Sequence, residues 1–97
     1  MRTLKNITIN EKYELTHFIE NTSFCAIYNA KDLSDGSLVS ISIYNAAKIS
    51  RDDLDNDGEL REINFLKSGI YGLPKLIGFG DFTHELEKYR YITTEFI

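Results

Sequence analysis

The segment Leu38–Tyr44, which reads Leu-Val-Ser-Ile-Ser-Ile-Tyr, constrains the fold of this 97-residue chain more than any other part. Its serines alternate with β-branched apolar residues, and this is the period of a β-strand with one buried face. Ser40 and Ser42 therefore share one face, and the apolar residues take the other. Asp35-Gly36, just before the segment, is a strong turn signal. The pattern predicts a hairpin that leads into a half-buried strand.

Further strands and one helix are predicted along the rest of the chain. Apolar residues at helical spacing predict a helix from Glu59 to Ser68. Aromatic and β-branched residues predict strands at 13–19, 24–30, 75–82 and 89–97. The order β-β-β-α-β-β predicts an α+β fold, in which a five-stranded antiparallel sheet carries one packed helix.

The composition indicates one small domain and excludes two classes of partner. A net charge of −4 and a pI near 5.1 argue against nucleic acid, because binding it requires a basic surface. The same charge disfavours anionic membranes, and no apolar run approaches the roughly 20 residues of a membrane span. The one cysteine, Cys25, allows no internal disulfide. We therefore expect a cytoplasmic protein.

Several motifs, in a fixed order, carry a resemblance to a known family. They are the loop Ile19–Tyr28, the strand motif Val39-Ser40-Ile41-Ser42, the helix motif Arg61–Leu66, and the strand segments Lys75–Gly80 and Tyr91–Phe96. Together they resemble the N-terminal, ATP-binding lobe of eukaryotic protein kinases. The resemblance covers residues 13–97 and leaves 1–12 as an N-terminal extension.

The resemblance implies nucleotide-site positions but no catalytic residue and no metal ligand in this chain. By position, Ile27 and Ser40 would enclose an adenine ring, and Ser42 stands where the family has its lysine. Glu62 fits the glutamate that pairs with that lysine. The cofactor-binding candidates are Ile19, Ile27, Ser40, Ser42, Glu62, Thr94 as gatekeeper and Glu95 at the hinge.

The phosphate-handling residues of the family are missing. Glu20, Thr22 and Cys25 stand where the resemblance implies glycines, so side chains block close backbone approach, and Glu20 adds a negative charge. Ser42 is short and neutral, so it cannot contact phosphates as a lysine does. We expect no cofactor, with Mg-ATP only if the site is unexpectedly active. Lys48 is a possible substitute for the absent lysine.

Three functions remain open at this point, and the enzyme reading is the weaker one. The first is a pseudokinase or kinase fragment that acts by binding a protein, which could be a kinase or a C-terminal lobe. The second is the lobe of an atypical active Ser/Thr-type kinase, but the H-R-D and D-F-G motifs of the catalytic lobe do not occur here. The third is a stand-alone decoy that docks on a kinase.

One competing motif suggests calcium. The segment Asp53–Asn64 resembles the first half of an EF-hand loop, with aspartates at its first, third and fifth positions and glycine at its sixth. Its twelfth position is Asn64 rather than the glutamate that closes such a site. We therefore predict an acidic approach to the helix and no metal site.

Overall fold

A six-stranded antiparallel sheet, in the order β1-β2-β3-β4-β6-β5, accounts for most of the fold. The computed structural model describes residues 4, 7–21, 25–49, 54, 60, 63, 66, 67 and 74–96. The strands are β1 (Thr8–Ile9), β2 (Tyr13–Asn21), β3 (Cys25–Asp32), β4 (Leu38–Asn45), β5 (Leu76–His84) and β6 (Glu87–Glu95). A 3₁₀ turn, Ala46–Lys48, follows β4. The five long strands lie close to where the sequence predicts them.

The sheet has an inner face, which carries Val39, Ile41 and Ile43 of β4, and an outer face, which carries Ser40 and Ser42. This division confirms the alternation predicted for the segment 38–44. The inner face is filled largely by aromatic rings and β-branched side chains, which favour strands because they pack well on a pleated surface. Its main buried residues are Tyr13, Leu15, Tyr28, Val39, Ile41, Ile43, Phe82, Tyr89 and Tyr91.

The sheet curls until its two edges meet, which gives it a nearly closed, barrel-like form. The side-chain amide of Asn10, in the loop between β1 and β2, donates to the Asp81 carbonyl of β5 at 2.9 Å. Inside the closure, the rings of Tyr13 and Tyr91 pack edge to face with centroids 6.0 Å apart. Gly80 fits against Tyr91, because a Cβ there would lie 2.9 Å from the Tyr91 hydroxyl.

Part of the predicted N-terminal extension contributes to this inner core. Leu4 and Ile9 are buried, and the Leu4 amide donates to the Tyr28 hydroxyl at 2.7 Å. That bond satisfies a buried backbone donor that would otherwise cost free energy. The segment 1–12 therefore includes residues that pack with the sheet as well as strand β1.

The outer face carries a second, smaller apolar cluster. Leu60, Ile63 and Leu66 are buried there against residues of the sheet. Leu54 forms an isolated antiparallel bridge with Leu60. The sheet residues of the cluster are Cys25, Ile27, Tyr44, Leu76 and Ile92.

The predicted fold class, an α+β fold with a five-stranded sheet and one packed helix, is wrong. The sheet has six strands, and the described part of the chain contains no α-helical element. Ile63, Leu66 and Lys67 have helical backbone, while most of the predicted helix 59–68 lies outside the described residues. The physical reason is closure: a sheet whose edges meet buries its own inner face, so that face needs no helix to cover it.

Candidate functional site

Four of the predicted site residues lie together on the outer face of β3, β4 and β6. Ile27 is the register partner of Ser42, and Ser40 is the register partner of Thr94. Side chains directly opposite each other in an antiparallel pair have Cβ atoms about 5 Å apart. All four residues are half-buried. The strand register therefore places Ile27, Ser40, Ser42 and Thr94 in one patch, which we call the serine face.

Ser42 has apolar neighbours on both sides of its strand. Ile27 of β3 and Ile92 of β6 are its register partners. Both isoleucines belong to the outer apolar cluster that includes Leu60 and Ile63. The position that the kinase resemblance assigns to a phosphate-binding lysine is thus occupied by a hydroxyl within an apolar surround.

The charge beside this patch is negative. Glu20 is the register partner of Ile27 on the side away from Ser42, and its side chain is exposed. Cys25 is buried in the outer cluster and forms no disulfide. These are two of the three positions where the resemblance implies glycine, and the third, Thr22, lies outside the described residues. A carboxylate here repels a phosphate, because like charges oppose each other even across water.

Two other candidates lie outside the serine face. Ile19 is about half exposed at 52% and lies where the β2–β3 register shifts between Phe18 and Glu20. Glu95 ends β6, where its carboxylate accepts from the Lys75 amide at 3.0 Å and its own amide donates to the Lys75 carbonyl at 3.0 Å. Glu95 therefore has a local role in fastening the strand ends together.

The remaining candidates do not complete a phosphate site. Glu62 lies outside the described residues. Lys48 is described, and it is exposed at the end of the 3₁₀ turn. Most of the calcium-like segment, residues 53–64, also lies outside the described part of the chain. The residues of that segment that are described, Leu54, Leu60 and Ile63, are apolar and pack with the outer cluster.

The serine face offers hydroxyl groups and apolar surface. Ser40, Ser42 and Thr94 can donate and accept hydrogen bonds but cannot carry charge at neutral pH. Across the residues that the structure describes, no three His, Cys, Asp or Glu side chains are grouped so that they could hold a metal ion. The shifted pKa that the structure shows belongs to Asp35, in the turn between β3 and β4, and not to this face.

A feature that the sequence reasoning missed is the tip of the β5–β6 hairpin. The predicted strands 75–82 and 89–97 leave residues 83–88 between them as a connection, yet β5 runs to His84 and β6 begins at Glu87. Glu85 and Leu86 form the whole turn, both with positive φ, and Leu86 is almost fully exposed. A Gly or Asn would have signalled such a tight turn, and neither residue is present there.

No protein-family model matches the chain, and no curated protein sequence matches it either. Across the residues described here, no helix combines the length and the apolar character that crossing a membrane would demand. The kinase resemblance therefore stays a prediction that rests on the order of the motifs in the sequence.

Proposed function

We propose that this chain is a lobe related to the ATP-binding lobe of protein kinases, which has lost nucleotide handling and acts by binding another protein. The observation that carries the proposal is the position of Ser42. Ser42 lies on the serine face opposite Ile27 and two residues along β4 from Ser40, whose register partner is Thr94. The resemblance places the family's lysine at Ser42 and its adenine contacts at Ile27 and Ser40. These residues follow the order of the family's motifs, but none of them carries the positive charge that binds phosphate.

The apolar surround of Ser42 supports the loss of nucleotide binding. A lysine that holds phosphates needs its ammonium group near anions, and here both register partners are isoleucines. The buried residues Leu60, Ile63 and Leu66 pack on the same face and give it a structural role in the core. In this proposal the face stabilises the lobe and leaves other surfaces for a partner.

Glu20 of β2 and Cys25 of β3 also argue against nucleotide binding. The exposed Glu20 carboxylate stands next to Ile27 in the register, so it would repel a triphosphate. Cys25 packs into the outer cluster instead of leaving its backbone open to a ligand. Two separate features, one electrostatic and one steric, thus oppose nucleotide at the same face.

The direct test is thermal unfolding of the chain with and without millimolar Mg-ATP. A ligand that binds only the folded state at 100 times its Kd adds about 2.7 kcal/mol to stability. In a domain of this size that corresponds to a rise in Tm of roughly 10 °C or more. We expect no change in Tm, and a rise of several degrees would overturn the proposal.

A restored variant identifies the residues responsible. Ser42→Lys combined with Glu20→Gly returns the cation and removes the repelling carboxylate, so we expect a Tm that rises with Mg-ATP. The matched control is Ser40→Lys with Glu20→Gly, which places the same charge at the other serine of the face and gains no such response. If the two variants behave alike, Ser42 is not the position that lost the function.

The proposal includes a cytoplasmic location and a protein partner. Cys25 is the single cysteine of the chain and is buried without a disulfide, which suits a reducing compartment. A fluorescent fusion in the source cells is expected to fill the cytoplasm. Recovery of the chain from the culture medium or from an oxidising compartment would contradict the location without bearing on the Mg-ATP result.

A further inference from the structure

The turn between β5 and β6 combines backbone strain with an exposed apolar side chain. Its two residues, Glu85 and Leu86, have φ angles of 50° and 70°. Side chains disfavour this left-handed region, because the Cβ approaches the following carbonyl oxygen. Leu86 is also 98% exposed. Retained backbone strain of this kind clusters at functional sites such as ligand clamps.

Leu86 borders a groove rather than a flat surface. A cavity of about 490 Å³ lies between the hairpin tip and the 3₁₀ turn that follows β4. The apolar side of its lining comes from Ala46, Ala47 and Leu86. Asn45 helps to fix the opposite wall, since its side chain accepts from the Ala47 amide at 3.0 Å and so holds the 3₁₀ turn.

A second cavity, of about 370 Å³, adjoins the first and brings positive charge. The two share Ala46 and Lys88 in their linings, so they form one surface, which we call the tip groove. Arg90 lines the second cavity and lies 3.7 Å from the Asp81 carboxylate. Lys88 makes no ion pair with any described residue and is available to a ligand.

The acidic residues of the tip groove already have partners within the sheet. The Glu87 carboxylate accepts from the Tyr89 hydroxyl at 2.6 Å. The Asp81 carboxylate lies beside Arg90, and the Asp81 carbonyl accepts from Asn10. Glu87 keeps its negative charge and Arg90 is paired with Asp81, so Lys88 is the residue of the groove that can hold an incoming carboxylate, next to the apolar surface of Leu86.

We infer that the tip groove binds a short peptide segment of a partner protein, one in which an apolar side chain is followed by carboxylates. The apolar side chain would lie against Ala46, Ala47 and Leu86, and the carboxylates would meet Lys88 and the outer side of Arg90. This inference rests on the proposed protein-binding role, and it names the surface and the chemistry of the partner.

The first experiment titrates the isotopically labelled full chain with a capped tripeptide of phenylalanine followed by two glutamates, observed by amide NMR. We expect saturable shifts at the amides of Ala46, Ala47, Leu86 and Lys88, with a millimolar Kd that suits so small a probe. A tripeptide with lysines in place of the glutamates is expected to give no saturable shifts there. Absence of saturable shifts with the acidic peptide, or equal shifts with both peptides, would overturn the inference.

Two variants separate binding from folding. Lys88→Glu is expected to raise the Kd of the acidic peptide at least ten-fold. The control is Lys31→Glu, which makes the same charge change on β3 away from the groove. Its Kd is expected to stay within about two-fold, because salt screens distant charges. Leu86→Gly relieves the strained turn, so its Tm is expected to rise while peptide affinity falls. If Leu86→Gly kept full affinity, the apolar half of the groove would have no role.

These outcomes are distinguishable from failure of the proposed function. A Tm that rises with Mg-ATP would show that the chain binds nucleotide and would overturn the proposed function. The peptide titration would then be interpreted separately. A missing peptide response, with the Tm unchanged by Mg-ATP, would remove the tip groove as the binding surface and leave the rest of the proposal standing.

Discussion

The hairpin turns between β3 and β4 and between β5 and β6 are built in opposite ways. In the first, Gly36 takes the left-handed position with a φ of 76°. Asp32 accepts from the amide and hydroxyl of Ser34, at 2.9 and 2.6 Å. Asp35 accepts from the amide and hydroxyl of Ser37, at 2.9 and 2.7 Å. Every unusual backbone angle in this turn falls on a residue that tolerates it.

The second turn places its two left-handed angles on Glu85 and Leu86. Glycine, asparagine and aspartate are the residues that usually occupy such a two-residue turn. The comparison shows that the first turn has residues suited to its backbone angles and that the second turn lacks them. A stabilising change should therefore be easy to find in the second turn and hard to find in the first.

The largest effect is expected from Gly36→Val. A β-branched residue at a φ of 76° is a backbone outlier, so we expect a loss of about 2 kcal/mol in the free energy of unfolding. A Cβ at this position would be 3.9 Å from Lys31, an ordinary contact, so the cost lies in the backbone. Urea unfolding measures it. Leu38→Val, at an exposed strand position close by, is the control, and equal losses in both would contradict the argument.

Leu86→Gly is expected to have the opposite sign. Glycine removes the Cβ clash at a φ of 70°, and this gain exceeds the entropy cost of glycine in the unfolded chain, for a net gain of about 1 kcal/mol. The same urea experiment reports it. Because Leu86 is almost fully exposed, little packing is lost. A destabilised variant would show that the leucine side chain supports the fold.

Glu85→Asn sharpens the comparison at the neighbouring position. Asparagine tolerates the left-handed region better than glutamate, so we expect a gain of roughly 0.5 kcal/mol. The matched control is Glu14→Asn, the same change at an exposed position within β2, where asparagine is a poorer strand residue and no gain is expected. Thermal unfolding of the two variants side by side decides the point, and a gain in both would remove the turn as the cause.

The smallest effect concerns Asp35 in the first turn. Hydrogen bonds from the hydroxyl and then the amide of Ser37 lower the pKa of Asp35 below its ordinary value. A lowered pKa means that this carboxylate favours the folded state above its unfolded pKa, and that the contribution is lost as the pH falls through the folded pKa. Ser37→Ala is therefore expected to raise the pKa of Asp35 in a carboxyl NMR titration.

Ser34→Ala is the control for that titration, because its hydroxyl bonds Asp32 and not Asp35. It should leave the pKa of Asp35 in place. A pKa that moves equally in both serine variants would assign the shift to the turn as a whole rather than to the Ser37 hydroxyl.

The long strands could be predicted because the residues of each strand alone show alternation or an excess of aromatic and β-branched side chains. The alternation in β4 identified both the strand and the face that Ser40 and Ser42 share. Strand β1 was missed because it has only two residues, Thr8 and Ile9, which are too few for a period to be recognised. The fold class failed for a different reason, since closure brings together residues as distant as Asn10 and Asp81, and no local pattern encodes such a contact.

The candidate site was predicted from the same alternation joined to the resemblance. Ile27, Ser40, Ser42 and Thr94 do meet on one face, because register partners follow once strands pair in order. The tip groove could not be predicted, because Glu85 and Leu86 lack the residue types that announce a tight turn. Its lining also joins β5 and β6 to the 3₁₀ turn, which precedes them by some thirty positions in the chain.

The hydrogen bond between Asn10 and Asp81 has a consequence for the order of folding. It joins residues 71 positions apart, so the chain between them must be arranged before the bond can form. Sheets rich in contacts between distant residues fold slowly, because the chain loses loop-closure entropy before the contact adds stability. We expect the hairpins to assemble first and the seam between β1 and β5 to close last. That seam is then the place where the barrel begins to open, and amide exchange should be fastest along it.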